Sequence, residues 1–433
     1  VALQEVTLMK TLKLYGAGLL VALSLALVAS SANSQGAGSS GGSGTTVTVK
    51  QYGSGPSVVY YRVGNGNWQL LPLSAGRGAF TANGEYEVAA RCDSENTLSL
   101  FKASTTYRTQ VPFSCPPGPK ARDVTFYITL PSSVGGVSPE SDDLVAVGSK
   151  FEVYEGADPI TVDAEGLVAS AGGVVITLLR PSTSTSAVSH TPYGYKVVSL
   201  GADDTSVLVD SRRWEAISPT NTRSLSVSAP EGFTGTALVF HTRNGYLSMA
   251  IVGGAIVESG ASVTGKYGLL PWGGVYVGYY EAVSPESPNN ALRVFRDTGG
   301  GDWKLTLPAP WTSGQFSVNG DTLTFTRKDA KAFAVEFSGL AQRTKGTPLK
   351  LEIFVQAASN GNTNYRIPVV PGLDYRLIGN PGAVNFSLKA FTRDRNLEFL
   401  YVFGPPGEAQ AQGVDLAIAE REGAYFGSRY TLP

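Results

Sequence analysis

Two histidines, two cysteines and acids set mainly at turns are what this chain offers to chemistry. His190 and His241 stand far apart and no Cys-x-x-Cys is present. A zinc site draws three or four ligands from such residues, so no zinc site is expected. Calcium takes oxygen ligands alone, and acids gather at Asp142-Asp143, at Asp158 to Gly166 (DPITVDAEG) and at Asp203-Asp204. None has the spacing of an EF-hand loop, and each reads as a solvated turn. No metal or cofactor is therefore assigned. A serine or cysteine nucleophile needs a base within hydrogen-bond reach. His190 follows the polar run Ser182 to Ser189 and His241 ends the run ALVFH, so each is expected at an edge or on the surface. A G-x-S-x-G match at Gly38 to Gly42 lies in a Gly/Ser tract. That motif works only between a strand and a helix that strain the serine into reach. Paired carboxylates about 5–10 Å apart across a cleft could hydrolyse a glycoside, but no pair stands out, and no catalytic residue is assigned.

Aromatic side chains are the remaining lead. Tyr267, Trp272, Tyr276, Tyr279 and Tyr280 crowd the glycine-rich stretch KYGLLPWGGVYVGYYEAV. Exposed rings of this kind stack on sugar faces or anchor a protein partner. Trp272, Tyr276, Tyr279 and Tyr280 are the ligand-binding candidates on that ground. On a strand, Tyr276 and Tyr280 would point one way and Val275, Val277 and Tyr279 the other, so at least one set must be core. Lys389, Arg393 and Arg395 near Phe391 form a basic-aromatic group, but Asp394 and Glu398 interrupt it, as on a solvated face.

The start of the chain sets the solvent for these groups. Lys10 and Lys13 precede the uncharged apolar run Leu14 to Ala29, and Ser30, Ser31 and Ala32 supply small residues for a signal peptidase. Residues 1–32 read as a signal peptide of bacterial style with its initiator at Met9, residues 1–8 lying upstream, and cleavage after Ala32. The run is short for a membrane span of about 20 residues, and no cysteine at the cleavage site offers a lipid anchor. Residues 33–45 form a flexible Gly/Ser linker. In an oxidising compartment the only two cysteines, Cys92 and Cys115, are expected to form one disulfide.

Composition points to strands. Hydrophobic residues make up 42% of the 433-residue chain and charged residues 16%, with 51 glycines and 25 prolines. The net charge is −1, and −2 without the leader, which gives no electrostatic case for nucleic acid or an anionic membrane. Short alternating runs separated by turn residues continue from Thr46 to the end. Gly64-Asn65-Gly66-Asn67 between SVVYYRV and Trp68 to Leu73 is a strong hairpin signal. Leu323 to Phe337 reads as another hairpin, across Arg327 to Lys331. Glu408 to Glu422 is the best helical candidate, interrupted by Gly413. The proline cluster Pro116-Pro117-Gly118-Pro119 marks a boundary. The pattern predicts an all-β chain of tandem β-sandwich domains over 46–118 (disulfide-stapled), 121–220, 222–345 and 346–433.

Alternating strands, Trp68 after a hairpin turn, and Tyr86 six residues before Cys92 give a chain that resembles bacterial extracellular immunoglobulin-like or fibronectin-III-like modules. The resemblance implies β-sandwiches and assigns no activity. The immunoglobulin disulfide does not carry over, because both cysteines follow Trp68 and lie close together. The expected function is a non-catalytic structural or adhesive role, secreted or in the cell envelope, with a cell-surface glycan or an envelope protein as partner. A carbohydrate-binding protein using surface aromatics and a polysaccharide hydrolase are the alternatives.

Overall fold

The computed structural model describes residues 44–118, 120–284, 290–341, 348–371, 383–402, 406–427 and 429–432. The segments expected to be a signal peptide with its cleavage site, and the expected linker up to residue 43, lie outside the described residues. The fold is all-β, and its strands fall into four groups that follow one another in the chain. The first holds β1 (Thr45–Tyr52), β2 (Ser57–Val63), β3 (Gln69–Leu70), β4 (Arg77–Ala82), β5 (Glu85–Cys92), β6 (Thr97–Ser104) and β7 (Gln110–Ser114). The second holds β8 (Ala121–Ile128), β9 (Leu144–Val147), β10 (Lys150–Val153), β11 (Ile160–Val168), β12 (Gly172–Thr183), β13 (Ala187–Leu200), β14 (Ser206–Val209) and β15 (Glu215–Ala216). The third holds β16 (Thr222–Ser228), β17 (Thr234–Thr242), β18 (Ala250–Val257), β19 (Ser262–Gly268), β20 (Val275–Val283), β21 (Asn290–Asp297) and β22 (Trp303–Lys304). The fourth holds β23 (Phe316–Asn319), β24 (Thr322–Thr326), β25 (Ala332–Ala341), β26 (Pro348–Gln356), β27 (Asn362–Arg366), β28 (Val384–Arg395), β29 (Asp415–Tyr425) and β30 (Arg429–Thr431), with the one-turn helix α1 at Glu408–Ala411.

The groups share one sheet. Its strands are hydrogen-bonded in the order β3-β2-β5-β6-β26-β25-β28-β29-β21-β20-β17-β18-β13-β12-β9-β10. From β18 a branch leaves through β19 and β16 to β22. Three small sheets, β4-β1-β7, β11-β8-β14 and β27-β24-β23-β30, cover parts of this ladder and complete the sandwiches. Strands lie about 4.8 Å apart, so a flat ladder of this length would be roughly 70 Å wide. Yet Ser114 at the end of β7 and Ala121 at the start of β8 are seven residues apart, a reach of at most about 25 Å. The sheets over the two ends are tied that closely, so the ladder curls strongly.

Burial follows alternation. Tyr86, Val88 and Ala90 of β5 point at Val47, Val49, Phe80, Val111 and Phe113 of the covering sheet, while Ala89 packs into the core on the other face. The Cys92–Cys115 disulfide, with Cα atoms 5.3 Å apart, stitches the end of β5 to the residue after β7 and so joins the two layers. Gly64, at φ 54°, turns β2 into β3 as expected. Arg327 to Lys331 does not close a hairpin. β24 pairs with β23 and β27 while β25 pairs with β26 and β28, so this segment carries the chain from one layer to the other. After α1, Gly413 takes φ 69°, and Asp415 onward is strand β29.

Candidate functional site

The aromatic stretch lands in the interior. β20 is paired on both edges, with β17 and β21, and apolar clusters cover both of its faces. Tyr276 and Tyr280 enter one cluster and Val277 and Tyr279 the other, at 8%, 0% and 1% exposure for the three tyrosines. Between the first two, Gly278 leaves the space that the Trp303 indole fills, and a Cβ there would overlap the ring. The expectation that these rings present a stacking surface is corrected accordingly: Tyr276, Tyr279 and Tyr280 are core residues. Trp272, in the loop before β20, is half-buried and packs edge-on against Tyr195 with ring centroids 5.2 Å apart.

Both histidines are buried, contrary to the edge or surface positions expected. His241, on β17 opposite Tyr276, is fully enclosed, with the rings of Tyr276 and Tyr246 at 4.8 and 5.9 Å. Neither of its ring nitrogens has a hydrogen-bond partner, and burial lowers its pKa to about 4. His190, on β13, is 6% exposed, and burial lowers its pKa to about 4 as well. A hydroxyl or thiol hydrogen-bonded to either ring would mark a nucleophile and its base; no such bond is formed among the described residues.

The acidic turns are engaged. Asp143 is buried and accepts from Arg180 through both carboxylate oxygens at 2.9 Å, from the Tyr193 hydroxyl at 2.7 Å and from the Glu140 amide at 3.0 Å. A carboxylate already bound to a guanidinium in this bidentate way has its charge neutralised in place. Asp163 accepts from Thr125 and Asp204 from the Gly201 amide. Among the described residues no three His, Cys, Asp or Glu side chains stand together in a way that could hold a metal ion.

One cavity joins several of these threads. It lies where β13 meets β18, is about 40 Å³ in volume, and has apolar walls that include Leu144, Ala146, Leu179 and Ile256. His190, Thr236, Tyr279 and Glu281 also line it, but its surface is almost wholly apolar. The Tyr279 hydroxyl is buried and makes no hydrogen bond of normal geometry. Leaving such a group unpaired costs about 1–3 kcal/mol. Glu281 accepts from Arg293 at 2.7 Å, and Arg293 also pairs with Glu420. Opposite His190 in register is Gly254, followed by Ala255, and both line the cavity. Of the four candidate aromatics only Tyr279 reaches this cavity.

No protein-family model matches the chain, and no curated protein matches it.

Proposed function

We propose that this chain is a secreted, non-catalytic protein of the bacterial cell envelope, with a structural or adhesive role carried by tandem β-sandwiches of the immunoglobulin-like or fibronectin-III-like kind. The observation that supports this reading is the parallel pairing of β6 with β26, residues 97–102 against 350–355. It joins the first group of strands to the fourth by backbone hydrogen bonds. Sandwiches linked only by flexible segments move as independent bodies; here a continuous ladder makes them one body that resists deformation, as an envelope component under load requires. The disulfide across the first sandwich suits an oxidising compartment. Attachment to a glycan or an envelope protein would come from the β-groups themselves.

Cell fractionation with sequencing of the mature amino terminus tests this reading. Recovery in the envelope or medium, with a new terminus after Ala32, is expected. Recovery in the cytoplasm with the leader intact would overturn it.

A further inference from the structure

We infer that the free edge of β14 pairs antiparallel with the same strand of a second copy of this chain, about a two-fold axis at Leu208. This goes beyond the structural role proposed above and does not depend on it. Among the described residues β14 (SVLV) pairs with β8 alone, at the edge of the sheet β11-β8-β14. The Thr205 and Val209 carbonyls accept from the Thr125 and Thr129 amides at 3.1 and 2.9 Å. Alternation along the strand then turns the N–H and C=O of Ser206 and Leu208 to the open side. Such an unpaired row is a template for another strand, and edges are normally guarded by charge, proline or a bulge. The other edge strands of the three small sheets carry these guards: Arg77 in β4, Pro112 in β7, Asp163, Glu165 and a bulge in β11, Arg366 in β27 and Arg429 in β30. β14 carries none. Its Leu208 side chain is 85% exposed and sits beside Tyr127, which is 38% exposed, in the outward row. The flanks identify the occupant. Asp203-Asp204 precede the strand and Arg212-Arg213 follow it. Antiparallel pairing about Leu208 sets Asp204 against Arg212 of the copy and Asp203 against Arg213, whereas parallel pairing sets acid against acid. The strand is thus its own complement, as an isologous two-fold contact requires. Leu208 exchanges both backbone bonds with its copy, and the outward row runs Tyr127, Leu208, Leu208, Tyr127 across the axis. The Asp210 carbonyl already accepts from Lys196 at 2.8 Å, which keeps the shared stretch short and the association moderate.

Sedimentation equilibrium of the full chain between about 5 and 200 µM tests the inference. The expected result is a reversible monomer–dimer equilibrium. Leu208→Pro removes the outward N–H, a change that edge strands accept, and should weaken the dimer about tenfold or more. Should Leu208→Pro not give the wild-type circular dichroism spectrum, Leu208→Lys alters only the exposed side chain and carries the same expectation. Asp203→Lys should weaken the dimer about threefold at low salt, and adding Arg213→Asp should restore it. Leu208→Cys sets two thiols within disulfide reach, because Cα atoms of such a facing pair lie about 5.5 Å apart. Mild oxidation should cross-link it, whereas Ser206→Cys, which faces Asp210 of the copy, should stay uncross-linked. A wild type that remains monomeric at the highest concentration would overturn the proposal. So would an undiminished dimer in a folded Leu208 variant, a charge exchange that restores nothing, or equal cross-linking of Ser206→Cys and Leu208→Cys.

Discussion

Two joints in the ladder are built in opposite ways. Where the first group meets the fourth, six residue pairs run in parallel from Thr97–Lys350 to Lys102–Val355. Phe101 and Phe354 stack across them at 4.5 Å and 7°, and Phe391 packs beside Phe354 with its ring tilted by 51°. Ser99 donates to Glu352 at 2.9 Å, and the Ser104 amide to Gln356 at 2.8 Å. Around this joint, Lys50 and Tyr52 bond to Glu398, and Tyr107 and Arg108 to Asp394. Where β13 of the second group meets β18 of the third, the ladder has four pairs, Ala187–Val257 to His190–Gly254, and a separate bridge joins Gly173 to Tyr246. That joint carries small residues, a buried uncharged histidine and a cavity. The parallel pairing of β6 with β26 is a sealed weld because large rings face each other across it, while the antiparallel pairing of β13 with β18 lacks such rings and carries the hollow.

The largest expected effect comes from breaking the weld. Phe354→Ala removes the central ring of the stack, and urea denaturation should show a loss of about 3–5 kcal/mol. A variant within 1 kcal/mol of wild type would mean that the stack is not what seals this joint. Reduction of Cys92–Cys115, whose sequence separation is 23, should cost the first sandwich about 3 kcal/mol. Because the weld lies on β6 and the staple on β5 and the end of β7, both losses should appear in one unfolding transition. Separate transitions would show that the first sandwich melts by itself.

Acid should act on the two buried histidines, His190 at the hollow joint and His241 on β17. His190 and His241 have folded pKa values of about 4, below the unfolded value near 6.5. Below pH 6.5 the unfolded chain binds protons that the folded chain refuses. Stability is thus full above about pH 6.5 and falls as the pH drops towards about 4, by up to about 1.4 kcal/mol per pH unit for each histidine. Between pH 7 and pH 5 each should remove about 2 kcal/mol. His190→Gln should abolish one half of that dependence, measured by denaturation at the two pH values; an unchanged slope would place the sensitivity elsewhere. The smallest effect is Tyr279→Phe, which deletes an unpartnered hydroxyl. Its stability should stay within about 1 kcal/mol of wild type or rise, and a larger loss would reveal a hydrogen bond to that hydroxyl.

These joints also show what could be read from residues alone. The strands, the Gly64 turn and the Cys92–Cys115 pair were legible, because each depends on neighbours within a few tens of residues. The weld was not. Thr97 to Lys102 and Lys350 to Val355 both read as ordinary alternating strands, and nothing local says that they pair across 253 residues (Ser99 with Glu352). The error at Tyr276, Tyr279 and Tyr280 has the same origin. Alternation tells the two faces of a strand apart, but whether the second face is wet depends on elements far away in the chain. Arg327 to Lys331 shows the complementary limit, since a turn between two strands looks alike whether it folds a hairpin or crosses between layers.

The central claim is that the β-groups form one mechanical body. Single-molecule extension between Thr45 and Leu432 tests it most directly. The fused ladder predicts one dominant rupture, in which the β6–β26 pairing fails and the remaining strands follow without further peaks of comparable force. A regular series of similar peaks, one for each sandwich, would contradict it.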